Sequence, residues 1–340
     1  MTVGRNTSGR SSAIEAVAVR AGVSKSTVSN TFTGRKSVSP KAKQRVMAAA
    51  RELGYRPNHA AQVLATKRTR TIGVLVQELH NPHTSALVEA LERELSRHGY
   101  KVMLGLTHGD HERALEYLRQ FSTGMVDGAI NLAPQVTLSQ AVRESGQVPV
   151  VTYLRPHPES PAYVNYDVGV REALEHLWGL GHRRIGFIAI PDTAWDVAME
   201  ERQRAFHEAY TVRGKKPIEQ LIVAGDGRAE SGYRLGAVLA QRGATAIIAG
   251  NDLMACGVIR WCREAELRVP QDLSVIGIDD CPLATWISPA LTSIQIPIAL
   301  LAEVTVTGLL DRLEGQRPAQ QAVLNARLVI RETTGRASDL

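Results

Sequence analysis

Ala21-Gly22-Val23-Ser24-Lys25-Ser26-Thr27-Val28-Ser29-Asn30 reads as a helix end, a glycine turn and a second short helix rich in small polar groups. Gly22 can take the positive φ of a tight turn, and Ser24 is placed to cap the next helix, which would run to about Thr31. Upstream, Ser12-Ala13-Ile14-Glu15 has the spacing of a capping box. Ile14, Val17, Ala18 and Ala21 then follow as one apolar helical stripe. Downstream, Ser39-Pro40 reads as a cap with proline in the first turn, Val46, Ala49, Ala50 and Leu53 repeat the stripe, and Gly54 ends it. Three short helices around one small core are expected.

The first seventy residues hold fourteen Lys or Arg against only Glu15 and Glu52, whereas the remaining 270 hold 26 basic against 32 acidic. A net charge of +6 therefore hides a strongly cationic head on a near-neutral body. A Ser/Thr-rich helix alone reads as a solvated face. Here it carries no acidic residue and is flanked by Lys25, Arg35, Lys36, Lys41, Lys43 and Arg45. Such mutual repulsion is costly for a solubility surface and favourable opposite a polyanion, where charge releases counterions and polar groups meet base edges. Beyond Arg56-Pro57, the stretch Asn58 to Ala65 is barely two turns, marginal alone and expected to need its own copy or a DNA groove. Thr66 to Arg70 is a basic linker that reads equally as a flexible tether.

From Ile72 onward, apolar β-branched runs alternate with amphipathic helical stretches. Expected strands are Ile72–Val76, Lys101–Leu106, Gly128–Leu132, Val148–Tyr153, Ile185–Ile190, Gln220–Val223, Ala246–Ala249 and Ser274–Ile278; expected helices include Ser85–Arg97, Arg171–Leu180, Met199–Tyr210 and Leu253–Glu266. Buried strands alternating with helices give parallel sheets of right-handed βαβ units, and this many strands favour two doubly wound lobes. The ligand site of such an α/β body lies between lobes, at the carboxyl ends of strands. Gln77 through His83, Asn251-Asp252 and Asp279-Asp280 follow strands, and each could bind ligand hydroxyls. The plainer alternatives are that Asn251 caps a helix and Asp280 sits in a turn. Arg202 lies early in a helix, against the macrodipole, which points to a function.

Composition excludes several classes. Hydrophobic residues make up 44% and charged residues 22%, as in an ordinary globular protein, with room for two or three compact units. Cys256, Cys262 and Cys281 show no CxxC spacing, which argues against a disulfide framework or zinc site and suits a reducing compartment. Met1 to Ser12 has no apolar signal segment, and no run is long enough to span a membrane, so the expectation is a cytoplasmic protein without membrane contact. There is no G-x-S-x-G elbow, P-loop, H-E-x-x-H or strand-linked G-x-G-x-x-G, so no enzyme is expected. His108-Gly109-Asp110-His111-Glu112 is the nearest approach to a metal cluster, and a helix start explains it as well.

Several motifs in order, from about Ala13 to Gly335, resemble the lactose/galactose-repressor family of bacterial transcription regulators. They are Val23 to Ser29, Leu53-Gly54-Tyr55-Arg56-Pro57-Asn58, Arg70-Thr71-Ile72-Gly73-Val74, Leu180-Gly181-His182-Arg183-Arg184-Ile185, Asn251-Asp252-Leu253-Met254-Ala255, Val275 to Asp280, and Ser288-Pro289-Ala290-Leu291-Thr292. The resemblance implies a helix-turn-helix head over 1–57, a hinge helix and linker over 58–70, and a two-lobed body like a periplasmic sugar-binding protein over 71–340. Lobe one would take about 71–178 plus 295–320, and lobe two about 179–294 plus 321–340.

Carried over by position, Lys25, Ser26 and Asn30 would face bases in the major groove, Thr27 and Ser29 would hold phosphates, and His59 would join the DNA-contacting set. Leu64 would be the wedge that paired hinge helices push into the minor groove. Gln77, His83, Arg202, Asn251 and Asp279 would bind the effector. The implied partners are a pseudo-palindromic double-stranded operator, a second copy of the chain, and a small effector, a sugar or sugar acid, with a purine corepressor as the rival. No cofactor is implied. Asn30 and Thr33 replace the family's usual arginine and asparagine, Asn165-Tyr166 replaces an Asp-Asn pair, and His83 replaces an aromatic. The chain ends at Leu340 without the leucine-repeat helix of tetrameric members, so a homodimer is expected. Two other classes are a sugar-binding protein that does not touch DNA and a doubly wound enzyme.

Overall fold

The computed structural model describes residues 13–34, 36–154, 160–190, 201–316 and 320–337. Two compact units divide the chain, one ending at Thr69 and the other starting at Arg70. In the first, helices Ala13–Ala21, Lys25–Thr33 and Pro40–Glu52 enclose a core of Val17, Ala18, Ala21, Val28, Val46, Ala49 and Ala50. Gly22 turns the chain at φ 61°. The Ser24 hydroxyl accepts from the Thr27 N–H at 3.1 Å and the Ser39 hydroxyl from the Ala42 N–H at 3.3 Å, so both expected caps satisfy orphan amides. Ser12 lies outside the described residues.

The second helix runs two residues past its expected end, because Gly34 at φ 68° closes it with an N–H donated to the Asn30 carbonyl at 2.9 Å. A fourth helix, His59–Thr66, is formed in the single chain, where a partner was expected to be necessary. Within this unit the Gln62 amide reaches the Phe32 carbonyl at 3.4 Å, one tertiary tie that offsets the cost of so short a helix.

The second unit contains a four-stranded parallel sheet, in spatial order Lys101–Leu106, Thr71–Val76, Gly128–Leu132 and Val150–Val151. A six-stranded sheet runs Arg327–Val329, Thr292–Gln295, Ser274–Asp279, Ala246–Ala249, Ile185–Ala189 and Ile222–Ala224, with only Arg327–Val329 antiparallel among its pairs. Ala162–Asn165 and Ala322–Asn325 form a separate parallel pair. Helices Pro82–Arg97 and Ile298–Leu313 pack on each other by the first sheet. Helix Asp167–Gly179 packs instead on Glu201–Val212 and on strands of the second sheet.

Backbones come unusually close where helix Ala229–Gln241 meets Asp252–Glu264. A Cβ on Gly257 would lie 2.0 Å from the Ala229 carbonyl oxygen, and one on Gly232 would lie 2.1 Å from the Met254 oxygen. Neither neighbour is a side chain that can swing away. Gly257→Ala is therefore expected to destabilise the unit by about 3 kcal/mol or more, the upper range for overpacking, as read from a urea midpoint.

Candidate functional site

On the head, Val28 is buried and pins the Lys25–Thr33 helix to the core, leaving Lys25 and Ser26 exposed and Thr27, Ser29 and Asn30 partly so. Lys25 Nζ pairs with Glu15 Oε1 at 2.7 Å, with both side chains about half exposed. Such a pair contributes little in water and gives way readily to a phosphate or a base. The Ser26 and Thr27 hydroxyls each lie 2.8 Å from Ser24 Oγ, and the Ser29 carbonyl accepts from Thr33 Oγ1 at 2.9 Å. Capping thus holds the polar face while its outward atoms stay accessible. Leu64, 83% exposed, stands out from a helix with no acidic residue in its first turn. His59 opens that helix, and its side chain lies outside the described residues.

In the second unit, Asn81 Oδ1 accepts from the His83 N–H at 3.0 Å, capping helix Pro82–Arg97 and fixing His83 in its first turn. Arg202 sits in the first turn of Glu201–Val212, and Asp279 ends strand Ser274–Asp279. These three converge. His83 Nδ1 lies 3.7 Å and Arg202 Nη2 3.9 Å from Asp279 Oδ1. His83 and Asp279 are buried, and neither His83 Nδ1 nor Asp279 Oδ1 has a hydrogen-bond partner among the described residues. Burial, then the neighbouring Arg202 charge, lowers the His83 pKa to about 4, so its imidazole is neutral near pH 7. Burial pushes the Asp279 carboxyl well above the usual range against the pull of Arg202, and Asp252 rises through burial and the nearby Asp279.

The remaining expected residues divide. Asn251 caps helix Asp252–Glu264, its Oδ1 accepting from the Met254 N–H at 2.8 Å and its Nδ2 donating to the Gly227 carbonyl at 2.8 Å. The cap expected as the plainer alternative is therefore formed. Gln77 is half-buried just past strand Thr71–Val76, and its carbonyl accepts from the His108 N–H at 2.9 Å. Asp110 caps helix His111–Gln120 by accepting from the Arg113 N–H at 3.1 Å, and His111 Nδ1 lies 2.9 Å from the Gln135 carbonyl. No group of three or more His, Cys, Asp or Glu among the described residues is placed to hold a metal, and no described helix is long and apolar enough to cross a membrane.

Sequence reasoning missed two tyrosines. The Tyr166 ring lies 4.8 Å below the Arg202 guanidinium, and its hydroxyl accepts from Arg202 Nη2 at 3.2 Å. Tyr153 is buried, its ionisation pushed up by desolvation and by Tyr166 and Asp279. Tyr166 was visible only as a departure from the family pair, and Tyr153 only as the last residue of an expected strand. Asp279 and Asp280 also carry positive φ, 122° and 53°, a strain of about 1–3 kcal/mol each for non-glycine residues.

Comparison with known proteins agrees with both halves. Residues 13–58 match the model for bacterial regulatory proteins of the lacI family, and residues 174–334 match a periplasmic binding protein-like domain. The chain is 34% identical over 337 residues to the HTH-type transcriptional regulator CelR of Thermobifida fusca, covering 94% of this chain and 97% of that one. It is 33% identical to the HTH-type transcriptional repressor PurR of Erwinia tasmaniensis, over 91% of this chain and 93% of that one. Its fold matches the lac repressor dimer bound to operator and the anti-inducer ONPF, with TM-score 0.81 and 31% identity over 94% of this chain and 98% of that one. The CelR–cellobiose complex matches with TM-score 0.67 and 33% identity over 94% and 99%. Each of these relatives is named as a regulator or repressor of transcription. The chain belongs to the lacI family of bacterial regulatory proteins and is a ligand-responsive, DNA-binding transcriptional regulator.

Proposed function

We propose that this protein is a cytoplasmic, homodimeric repressor without enzymatic activity. It grips a pseudo-palindromic operator and releases it when a sugar or sugar acid occupies the cleft at His83, Arg202 and Asp279. The observation that carries the ligand class is the pair of buried, unpartnered atoms His83 Nδ1 and Asp279 Oδ1, 3.7 Å apart. One ligand hydroxyl placed beside both can bond to each at once. Leaving such groups unpaired is costly, so the site favours a ligand rich in hydroxyls. Arg202 at 3.9 Å from the same oxygen suits an additional acidic group. The cellobiose complex of the CelR relative supports the sugar reading. Gln77 and Asn251 complete the proposed effector-binding set.

On DNA, Lys25, Ser26 and Asn30 read bases, Thr27 and Ser29 hold phosphates, His59 joins the contacting set, and Leu64 enters the minor groove. Release requires only that the ligand bind the DNA-incompetent state more tightly, and a coupling of about 1–3 kcal/mol shifts operator affinity about 5- to 150-fold. Lys25→Ala is expected to relax preference at one base position by about 1–3 kcal/mol in competition against point-changed operators. A uniform loss on all DNA, with the salt slope lowered by about one, would make Lys25 a phosphate contact instead.

The test of the ligand class is calorimetric titration of the full chain with a panel of sugars (cellobiose first), sugar acids and purines. Binding of a sugar or sugar acid is the expected result. Binding of purines alone would overturn it in favour of a corepressor.

A further inference from the structure

Asp279 faces His83 and Arg202, while the neighbouring Asp280 carboxylate is engaged by quite different groups. Both residues hold positive φ, so the direction of each carboxylate depends on what restrains the dipeptide. The Asp280 N–H donates to Ser293 Oγ at 3.1 Å, and the Cys281 N–H donates to Asp252 Oδ2 at 2.8 Å. Ser293 Oγ in turn donates to Asp252 Oδ1 at 2.5 Å. Gln295 Nε2 donates to Asp280 Oδ2 at 2.9 Å, and Arg331 Nη1 pairs with Asp280 Oδ1 at 2.6 Å. Arg331 is itself anchored: its N–H donates to Thr292 Oγ1 at 2.9 Å and its Nη1 to the Leu291 carbonyl at 2.7 Å.

We propose that Asp280 and Arg331 are positioning residues for effector recognition, their buried ion pair holding the strained dipeptide so that the Asp279 carboxylate stays aimed at His83 and Arg202. The inference rests on the cleft being the effector site. Without its counter-charge, the buried Asp280 carboxylate is drawn towards water, and the dipeptide, still tied through Ser293, Gln295 and Asp252, loses the ion pair that opposes its relaxation out of positive φ. That relaxation rotates Asp279 away from the ligand. One guanidinium nitrogen, Nη1, meets both the Asp280 carboxylate and the Leu291 carbonyl, and lysine at this position keeps the charge that the carboxylate needs.

The test uses the full chain as wild type, Asp279→Asn, Asp280→Asn, Arg331→Gln and Arg331→Lys, titrated calorimetrically with cellobiose and crystallised without ligand. Arg331→Gln and Asp280→Asn are expected to weaken cellobiose binding by about tenfold, within the range by which residues touching neither ligand alter binding. Arg331→Lys is expected to stay within about threefold of wild type, a rescue that a loss of general stability would not show. If Arg331→Gln fails to fold, the near-isosteric Asp280→Asn carries the comparison. Wild-type affinity in Arg331→Gln or Asp280→Asn, alongside loss in Asp279→Asn, overturns the inference. If wild type itself ignores cellobiose, that failure belongs to the sugar reading, and the ligand-free crystals decide: Asp279 displaced from His83 supports positioning, and Asp279 unmoved overturns it.

Discussion

Asp279→Asn is expected to leave operator binding intact and to remove the response to the effector. The substitution keeps the shape of the side chain but takes away the charge that His83 and Arg202 face, at 3.7 Å and 3.9 Å. Losing the hydrogen bond that the carboxylate would offer a ligand hydroxyl costs about 1.5–3 kcal/mol, so effector affinity is expected to fall on the order of 100-fold. Stability moves the other way. Asp279 is buried beside Asp252, and each carboxyl is pushed up by desolvation, with Asp279 adding repulsion at Asp252. Removing that repulsion means the melting temperature holds or rises. A variant that melts higher, binds operator normally and ignores the effector separates recognition from folding. If Asp279→Asn still responds at wild-type effector concentrations, the cleft assignment is wrong.

Leu64→Ala is expected to weaken specific operator binding on the order of 100-fold while leaving non-specific binding and stability unchanged, since an apolar wedge between base steps contributes a few kcal/mol only at a kinked site. Leu64 is 83% exposed, so truncation forfeits almost no packing within the protein, and alanine is the better helix former. No structural weakening masks the result. Filter binding or anisotropy on operator and random duplex separates the two affinities, and an equal loss on both would remove the wedge assignment.

Local chemistry was legible where it acts locally. Ser24 and Ser39 cap the helices their spacing announced, Gly22 turns the chain, and the strand–helix alternation announced the two larger sheets. Four strands were missed. Thr292–Gln295 is polar, and its burial comes from pairing with Ser274–Asp279 and from Ser293 donating to Asp252, partners far away in sequence. Ala162–Asn165 pairs with Ala322–Asn325 across some 160 residues, and Arg327–Val329 has only three residues to announce itself.

The cleft shows the same division. Arg202, early in its helix, was conspicuous through the macrodipole, and acidic residues at a strand end marked the chemistry. The residues alone left Asp279 and Asp280 as candidates and the family resemblance chose Asp279; that Asp279 lies beside His83 and Arg202 while Asp280 pairs with the distant Arg331 follows from tertiary contacts that no local pattern announces. Asn251 was legible as a helix cap as well as an effector residue: the Met254 amide and the Gly227 carbonyl hold its side chain at the start of its helix.

Fluorescence anisotropy on a duplex selected from a random pool, repeated with each ligand that binds the protein, tests most directly whether the grip on DNA answers to the cleft. Selection is expected to yield a pseudo-palindrome, and at least one sugar or sugar acid is expected to shift its affinity about 5- to 150-fold, a shift lost in Asp279→Asn. No preference for any duplex over bulk genomic fragments, or a preference that every bound ligand leaves unchanged, would contradict the account.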